Sequence, residues 1–184
     1  MQWLAAEDWQ TIFSGLKRDA FHLELRDTCG VHGESSRFRQ WLDGEAETFE
    51  EAADWFRDWT DEVQATIRAG KTIRRLRVIT EPISDYIRFE RRDTIHNVAA
   101  GEDIRWLPRQ HLPSGVAFPR GGLDHWLLDD QIVVFNHFDA DGRSAGRERV
   151  TDPGLVVQCV HARDLLWPLG IPHDEYKPVP AVGQ

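Results

Sequence analysis

The stretch Ser84-Asp85-Tyr86-Ile87-Arg88-Phe89-Glu90 holds the densest run of side chains able to do chemistry. It opens a helical pattern behind a β-branched run, and the free N–H groups of a helix N-terminus favour a carboxylate or a phosphate. Arg88 could add a planar cationic fork to such a site. The plain alternative is structural: Ser84 and Asp85 are ordinary first-turn residues, and an arginine near Glu90 and Arg92 on a helix face is usually solvated. Asn136 and His137 form a second candidate, with His125 on the neighbouring strand. Strand alternation sends Asn136 and Phe138 to one face and His137 to the other, so the two polar neighbours do not act together.

Several enzyme classes lose their footing here. No Gly-x-Ser-x-Gly elbow, glycine-rich phosphate loop, dinucleotide fingerprint or Cys-x-x-Cys occurs. Ser84 is the nearest positional match to a nucleophile, but it lacks the glycines that permit the sharp turn. His111, His125 and His137 share no spacing that ties them to zinc or iron, so neither a metal nor another cofactor is expected. Asp129 and Asp130 have a sufficient reason to be adjacent in a turn. An enzyme would have to use Asp85, Glu90 or His137 as acid/base groups, in a biosynthetic or nucleotide pathway.

With 22 Lys and Arg against 31 Asp and Glu, the 184-residue chain carries a formal charge of −9 and repels a phosphate backbone at long range. Direct nucleic-acid binding is therefore not expected. Lys71, Arg74, Arg75 and Arg77, followed by Arg88, Arg91 and Arg92, read first as a solvated strand edge and helix face, and second as an anion or partner site. Arg74 and Arg75 are the partner-facing candidates. Among eight tryptophans, Trp55 and Trp59 sit one turn apart on a long helix and would anchor a protein partner if both faced outward. Cys29 and Cys159 read as reduced thiols, and with neither a membrane span nor a secretory signal the cytoplasm is the expected compartment.

The elements that must position these residues follow from periodicity. Helical spacing marks residues 8–15, a segment around Phe38 and Trp41, residues 48–69, a helix from Pro82 to Gly101, and a last helix opened by Asp152-Pro153. Alternation or β-branched runs mark strands at 20–26, 71–80, 104–107, 124–128, 131–138 and 146–150, with turns at Asp129-Asp130 and Asp141-Gly142. Gly30 and Gly33 break the pattern after the first strand, and residues 113–122 form a glycine- and proline-rich loop. The chain reads as one α/β domain over residues 1–176, a mixed sheet flanked by helices, with a disordered tail at 177–184.

Residues 20–27, 74–90 with the Ser84-Asp85-Tyr86 core, 97–108, 126–138 and 167–176 together resemble an actinobacterial family known as domain of unknown function 6879. Its members look like small proteins encoded beside helix-turn-helix regulators, which implies a regulatory partner of that kind. The order of elements also looks like half of a phospholipase D-type fold. The catalytic His-x-Lys-x-x-x-x-Asp pattern of that fold is absent: His137 is followed two residues later by Asp139. The expectation is a non-enzymatic regulatory or sensor domain that binds a small anionic ligand or a helix-turn-helix regulator through Ser84, Asp85, Tyr86, Arg88, Glu90, Asn136 and His137. A purely structural interaction subunit is the other alternative, with Trp55 and Trp59 on an exposed patch.

Overall fold

The computed structural model describes residues 2–27, 34–45, 47–140 and 142–180. Cys29, Gly30, Gly33 and Asp141 lie outside the described residues. Among the described residues eight strands form a single sheet: β1 (Gln2–Leu4), β2 (Asp19–Glu24), β3 (Thr72–Ile79), β4 (Asp103–Pro108), β5 (His125–Leu128), β6 (Ile132–Phe138), β7 (Ser144–Val150) and β8 (Ile171–Pro172). Their order across the sheet is β1-β7-β6-β5-β2-β3-β4-β8. Strands β2, β3 and β4 are parallel, and every other pairing is antiparallel. β2 is thus the junction, parallel to β3 on one side and antiparallel to β5 on the other. The sheet is mixed and flanked by helices, as the element order predicts.

Parallel neighbours require crossovers, and the helices supply them. α2 (Glu34–Leu42) and α3 (Phe49–Arg68) connect β2 to β3, and α4 (Asp85–Ala100) connects β3 to β4. α3 starts at a capping box in which the Thr48 hydroxyl accepts from Glu51 N and Glu51 returns a bond to Thr48 N. α4 is capped by Ser84, whose Oγ accepts from Ile87 N, and it ends at Gly101 in a left-handed conformation, φ 114°. The helix therefore starts past Pro82: Ile83 is buried against Ile79 and Ile87 in the approach to the cap. β1 and β8 carry too few residues, three and two, to leave a period in the sequence, and they are recruited as edges by β7 and β4.

Each sheet face has its own core. Phe21, Leu23, Leu76, Val78, Leu127 and Phe135 pack beneath α5 (Pro153–Leu166) through Val156, Cys159 and Leu166. Val116 and Phe118 of the loop before β5 close onto the same cluster. On the opposite face Ala20, Ile73, Trp126 and Val134 meet Phe13 of α1 (Ala6–Ser14), Val63 of α3 and Ala100 of α4. Burial pushes the Cys159 thiol up to about 12, which leaves it an inert core residue.

The β5–β6 turn locks the sheet's centre. Asp129 and Asp130 both have positive φ, 53° and 57°, the conformation a two-residue hairpin demands. The Asp129 carboxylate then accepts from the backbone N–H groups of Lys17, Arg18 and Asp19 at 2.8, 2.7 and 3.1 Å, fixing where β2 begins. Asp129→Ala is expected to lower unfolding free energy by about 2 kcal/mol, and Asp129→Asn by less, because asparagine keeps an acceptor and tolerates the left-handed turn. Urea unfolding of the two variants checks this ordering.

Candidate functional site

The most unusual chemistry lies between the helix-covered face of β2–β3 and α4. Parallel register sets His22 beside Arg75 and Glu24 beside Arg77. Arg75 Nη1 donates to Glu24 Oε1 at 2.6 Å and its Nη2 to Glu102 Oε1 at 2.8 Å, while Trp59 Nε1 donates to Glu102 Oε2 at 3.4 Å. Arg77 Nε lies 2.7 Å from Glu24 Oε2, a charge contact without good hydrogen-bond alignment, and its Nη1 pairs with Glu90 of α4. Three carboxylates thus face two guanidiniums in a mostly apolar layer.

Around them the polar groups are pinned rather than free. The His22 ring stacks on Trp126 at 4.1 Å, and the Asn136 side-chain amide lies 3.4 Å from His22 Nε2. Burial holds the His22 imidazole below its usual range against the pull of Glu24. Burial alone would raise the Glu24 carboxyl, but Arg77 and Arg75 overcome it and hold the group well below its ordinary value. Asp124, just before β5, shows the reverse. Burial pushes its carboxyl up to about 7, even though its Oδ1 accepts from Leu25 N at 2.7 Å, and Glu24 adds to the rise. His125 is fully buried on the opposite face; its Nδ1 lies 3.0 Å from the Leu123 carbonyl, and burial lowers it to about 4.

The predicted site residues separate into distinct environments. Ser84 is spent on its cap and on a 3.2 Å bond to the Asp27 carbonyl. Asp85 is exposed and pairs at 3.2 Å with Arg88. Tyr86 packs edge-on against Phe38. Glu90 turns inward to Arg77, and Asn136 to His22. His137 lies on the other face of the sheet, where its Nε2 meets Glu148 Oε2 at 2.9 Å, and Glu148 also accepts from Arg120 at 3.0 Å. Asp85, Glu90 and His137 therefore lie in three separate environments.

The strand half of the basic run is not a solvated edge, whereas Arg88 on the helix keeps a partly exposed side chain. β3 lies between β2 and β4, so Arg75 and Arg77 are turned into the ion network and Arg74 reaches Asp19 at 3.1 Å on the other face. Trp55 and Trp59 likewise do not share an outward face. Trp59 packs against Phe13 and Trp126, whereas Trp55 is 47% exposed beside the Arg37 guanidinium.

Beyond the first turn of α4 the surface is concave. Ile83, Arg88, Arg91, Pro178, Val179 and Pro180 line a cleft of ≈ 270 Å³. Its C-terminal wall is built by Glu81, whose Oε1 accepts from Tyr176 Oη at 2.7 Å and from Val179 N at 3.3 Å. Arg91 Nη2 donates to the Tyr176 carbonyl at 2.9 Å, while its buried Nε has no hydrogen-bond partner among the described residues. Arg88 is 36% exposed at its side chain and pairs with the exposed Asp85 carboxylate. Two guanidiniums and an apolar wall suit a small anion with an apolar body. Among the described residues no three His, Cys, Asp or Glu side chains gather to hold a metal ion, and no helix is long and apolar enough to cross a membrane.

Residues 7–178 match the family model described as Domain of unknown function (DUF6879). The chain belongs to this family. DUF6879 here has the fold seen in NucT from Helicobacter pylori, with a TM-score of 0.50 at 9% identity over 90% of this chain and 91% of that one. The phospholipase D family member Nuc from Salmonella typhimurium covers 88% of this chain and 86% of its own at 12% identity, with a TM-score of 0.45. A search of curated proteins finds no match. No histidine in this DUF6879 chain is followed two positions later by lysine.

Sequence reading missed the partners in the network, Glu24, His22, Glu102 and Asp124, and the Pro178–Pro180 wall. A signal was available: Arg75 and Arg77 alternate in phase with Ile73 and Ile79, as His22 and Glu24 do with Ala20. Arginines on the buried phase of a central strand require buried acids.

Two variants probe these electrostatics. Arg77→Met leaves Glu24 and Glu90 without a shared cation and is expected to cost about 3–5 kcal/mol in urea unfolding, partly recovered by adding Glu90→Gln. Asp124 acts in the opposite sense. Its folded pKa, about 7, lies above the unfolded value, so the folded state binds the extra proton and this group's contribution falls as pH rises from about 4 to 7. Asp124→Asn is expected to flatten that slope and to raise stability at pH 8 by on the order of 2 kcal/mol. Thermal melts between pH 5 and 8 check it.

Proposed function

We propose that this DUF6879 chain is a non-catalytic regulatory domain whose cleft beside α4 takes a small anionic ligand with an apolar body. The observation that carries this reading is the placement of Arg88 and Arg91 on one cleft with Ile83 and the Pro178–Pro180 segment. Arg88 offers its charge to solvent, and Arg91 spends its visible bond on a carbonyl rather than a carboxylate. The buried ion network supports the same reading from the other side. Glu24 and Glu90 are committed to guanidiniums, so they are not free to exchange protons with a substrate. In this proposal the actinobacterial helix-turn-helix regulator implied by the family resemblance is the partner that reads out ligand occupancy.

Phenyl phosphate, benzoate and inorganic phosphate are suitable probes, followed by isothermal calorimetry and by amide NMR shifts. Saturable binding of phenyl phosphate or benzoate with shifts at Ile83, Arg88, Arg91 and Val179 is expected, and without turnover. Arg88→Glu should weaken it by about tenfold or more while leaving the melting temperature nearly unchanged. Binding that is unaffected by Arg88→Glu removes Arg88 from the site, and no saturable binding of any probe overturns the proposal.

A further inference from the structure

Arg147 on β7 is a half-buried cation without an acid. Its guanidinium lies 4.9 Å from the centre of the Trp9 ring, and among the described residues it has no carboxylate or carbonyl partner. Arg37, Arg74, Arg75, Arg77 and Arg120 lie over rings too, but each also pairs with a carboxylate. Burial holds Arg147 below its ordinary value, with no charged group acting on it. Arg149, two residues on along the same face, is a second cation with no acid partner among the described residues, so β7 supplies no neutralisation. Stacking on an indole steadies the plane of a guanidinium but leaves the N–H fork at its edge unused.

Directly opposite Arg147, on β6, stands Asn136. Side chains paired in this way have Cβ atoms about 5 Å apart, yet these two do not bond to one another. Asn136 turns its amide nitrogen to His22 Nε2 at 3.4 Å. His22 is neutral and Glu24 Oε1 lies 3.2 Å from its Nδ1, so the ring proton belongs on Nδ1 and Nε2 offers a lone pair to the amide N–H. The Asn136 carbonyl oxygen is thereby left as an acceptor without a donor. The acids on the same row of the sheet are already engaged: Asp124 accepts from Leu25 N, and Glu24 meets Arg75 and Arg77. Trp9 is itself held in place by Phe13 and Trp126.

An unused fork and an unused acceptor on adjacent strands, beside an indole wall, match a molecule that carries a carboxylate with a hydrogen-bond donor next to it. That donor has to be neutral, because no unpaired carboxylate faces Arg147 to receive an ammonium group. We propose that Arg147, Asn136 and Trp9 form a second small-molecule site, for a 2-hydroxy acid. The carboxylate lies on the Arg147 fork, the hydroxyl donates to Asn136 Oδ1, and the carbon body rests on Trp9. The site is on β6 and β7, at the other end of the sheet from β4 and β8, and does not depend on the ligand assigned to the cleft beside α4.

The test is an NMR titration to millimolar concentration in the Arg88→Glu chain, where the cleft beside α4 no longer contributes. Mandelate should saturate with a shift of the Trp9 indole N–H. Phenylacetate, which lacks only the hydroxyl, and phenylalanine, which has an ammonium in its place, should each bind about tenfold more weakly or worse. Asn136→Ala should bring mandelate down to the affinity of phenylacetate. Arg147→Met should abolish binding with a melting temperature unchanged or raised, since it removes a half-buried charge that has no acid. Arg147→Lys, which keeps the charge and the aliphatic stem but not the fork, should fold equally well and bind at least several-fold more weakly. Mandelate binding that ignores both Arg147 variants overturns the proposal, as does the absence of saturation. Equal affinity for mandelate and phenylacetate overturns the 2-hydroxy acid class.

Discussion

The ion network on the helix-covered side of β2 and β3 is the constraint around which the rest of the molecule is arranged. Two guanidiniums on a central strand cannot be left in an apolar layer without carboxylates, since the desolvation penalty of each charge is several kcal/mol. Arg75 and Arg77 therefore dictate where Glu24, Glu90 and Glu102 must be. Those three acids come from β2, from the middle of α4 and from the turn that leads into β4. One network thus sets the β2–β3 register, the rotation of α4 about its axis and the entry to β4. Such pairs add little net stability compared with apolar packing, but misplacing any one of them leaves a buried charge exposed to the full penalty.

The same network shapes the chemistry around it. Asp124 keeps its proton into the neutral range because burial disfavours its charged form, with Glu24 of the network adding to the rise and Arg77 opposing it. His22 stays neutral between Trp126 and Asn136 for the complementary reason that burial outweighs its nearest carboxylate. Groups with shifted proton affinity often mark active sites, but here each is held by a backbone or side-chain partner, and the shifts follow from packing. The cleft lies elsewhere, on the outward side of α4, where Glu81 folds the C-terminal segment back to make a wall.

A fold shared with NucT does not bring its chemistry with it. In this chain the lysine two residues past a histidine is missing everywhere, and the polar residues of the β5–β6 hairpin have structural work: Asp129 ties down the start of β2, and Asp124 ties down its end. The hairpin that closes the sheet against β2 is a brace in this family member.

The sequence by itself determined the local elements and the overall class. Gly101, Asp129-Asp130 and Asp152-Pro153 are chemical signals that act within a few residues, so these stops, turns and starts were legible without any tertiary information, whereas α4 starts at the Ser84 cap, later than the start at Pro82 that the sequence suggests. The opposite facing of Asn136 and His137 was legible for the same reason, because strand alternation is a property of the backbone. Only the tertiary structure decided what the charged and aromatic residues do. Whether Arg75 is solvated depends on β3 being central, which in turn depends on β4 and β2 pairing with it from far along the chain. Trp55 and Trp59 differ because one meets Trp126 from β5, and Arg88 gains a cleft because Pro178–Pro180 return to α4 across some ninety residues. Burial and pairing are set by long-range contacts, and periodicity along one element cannot report which neighbour will cover it.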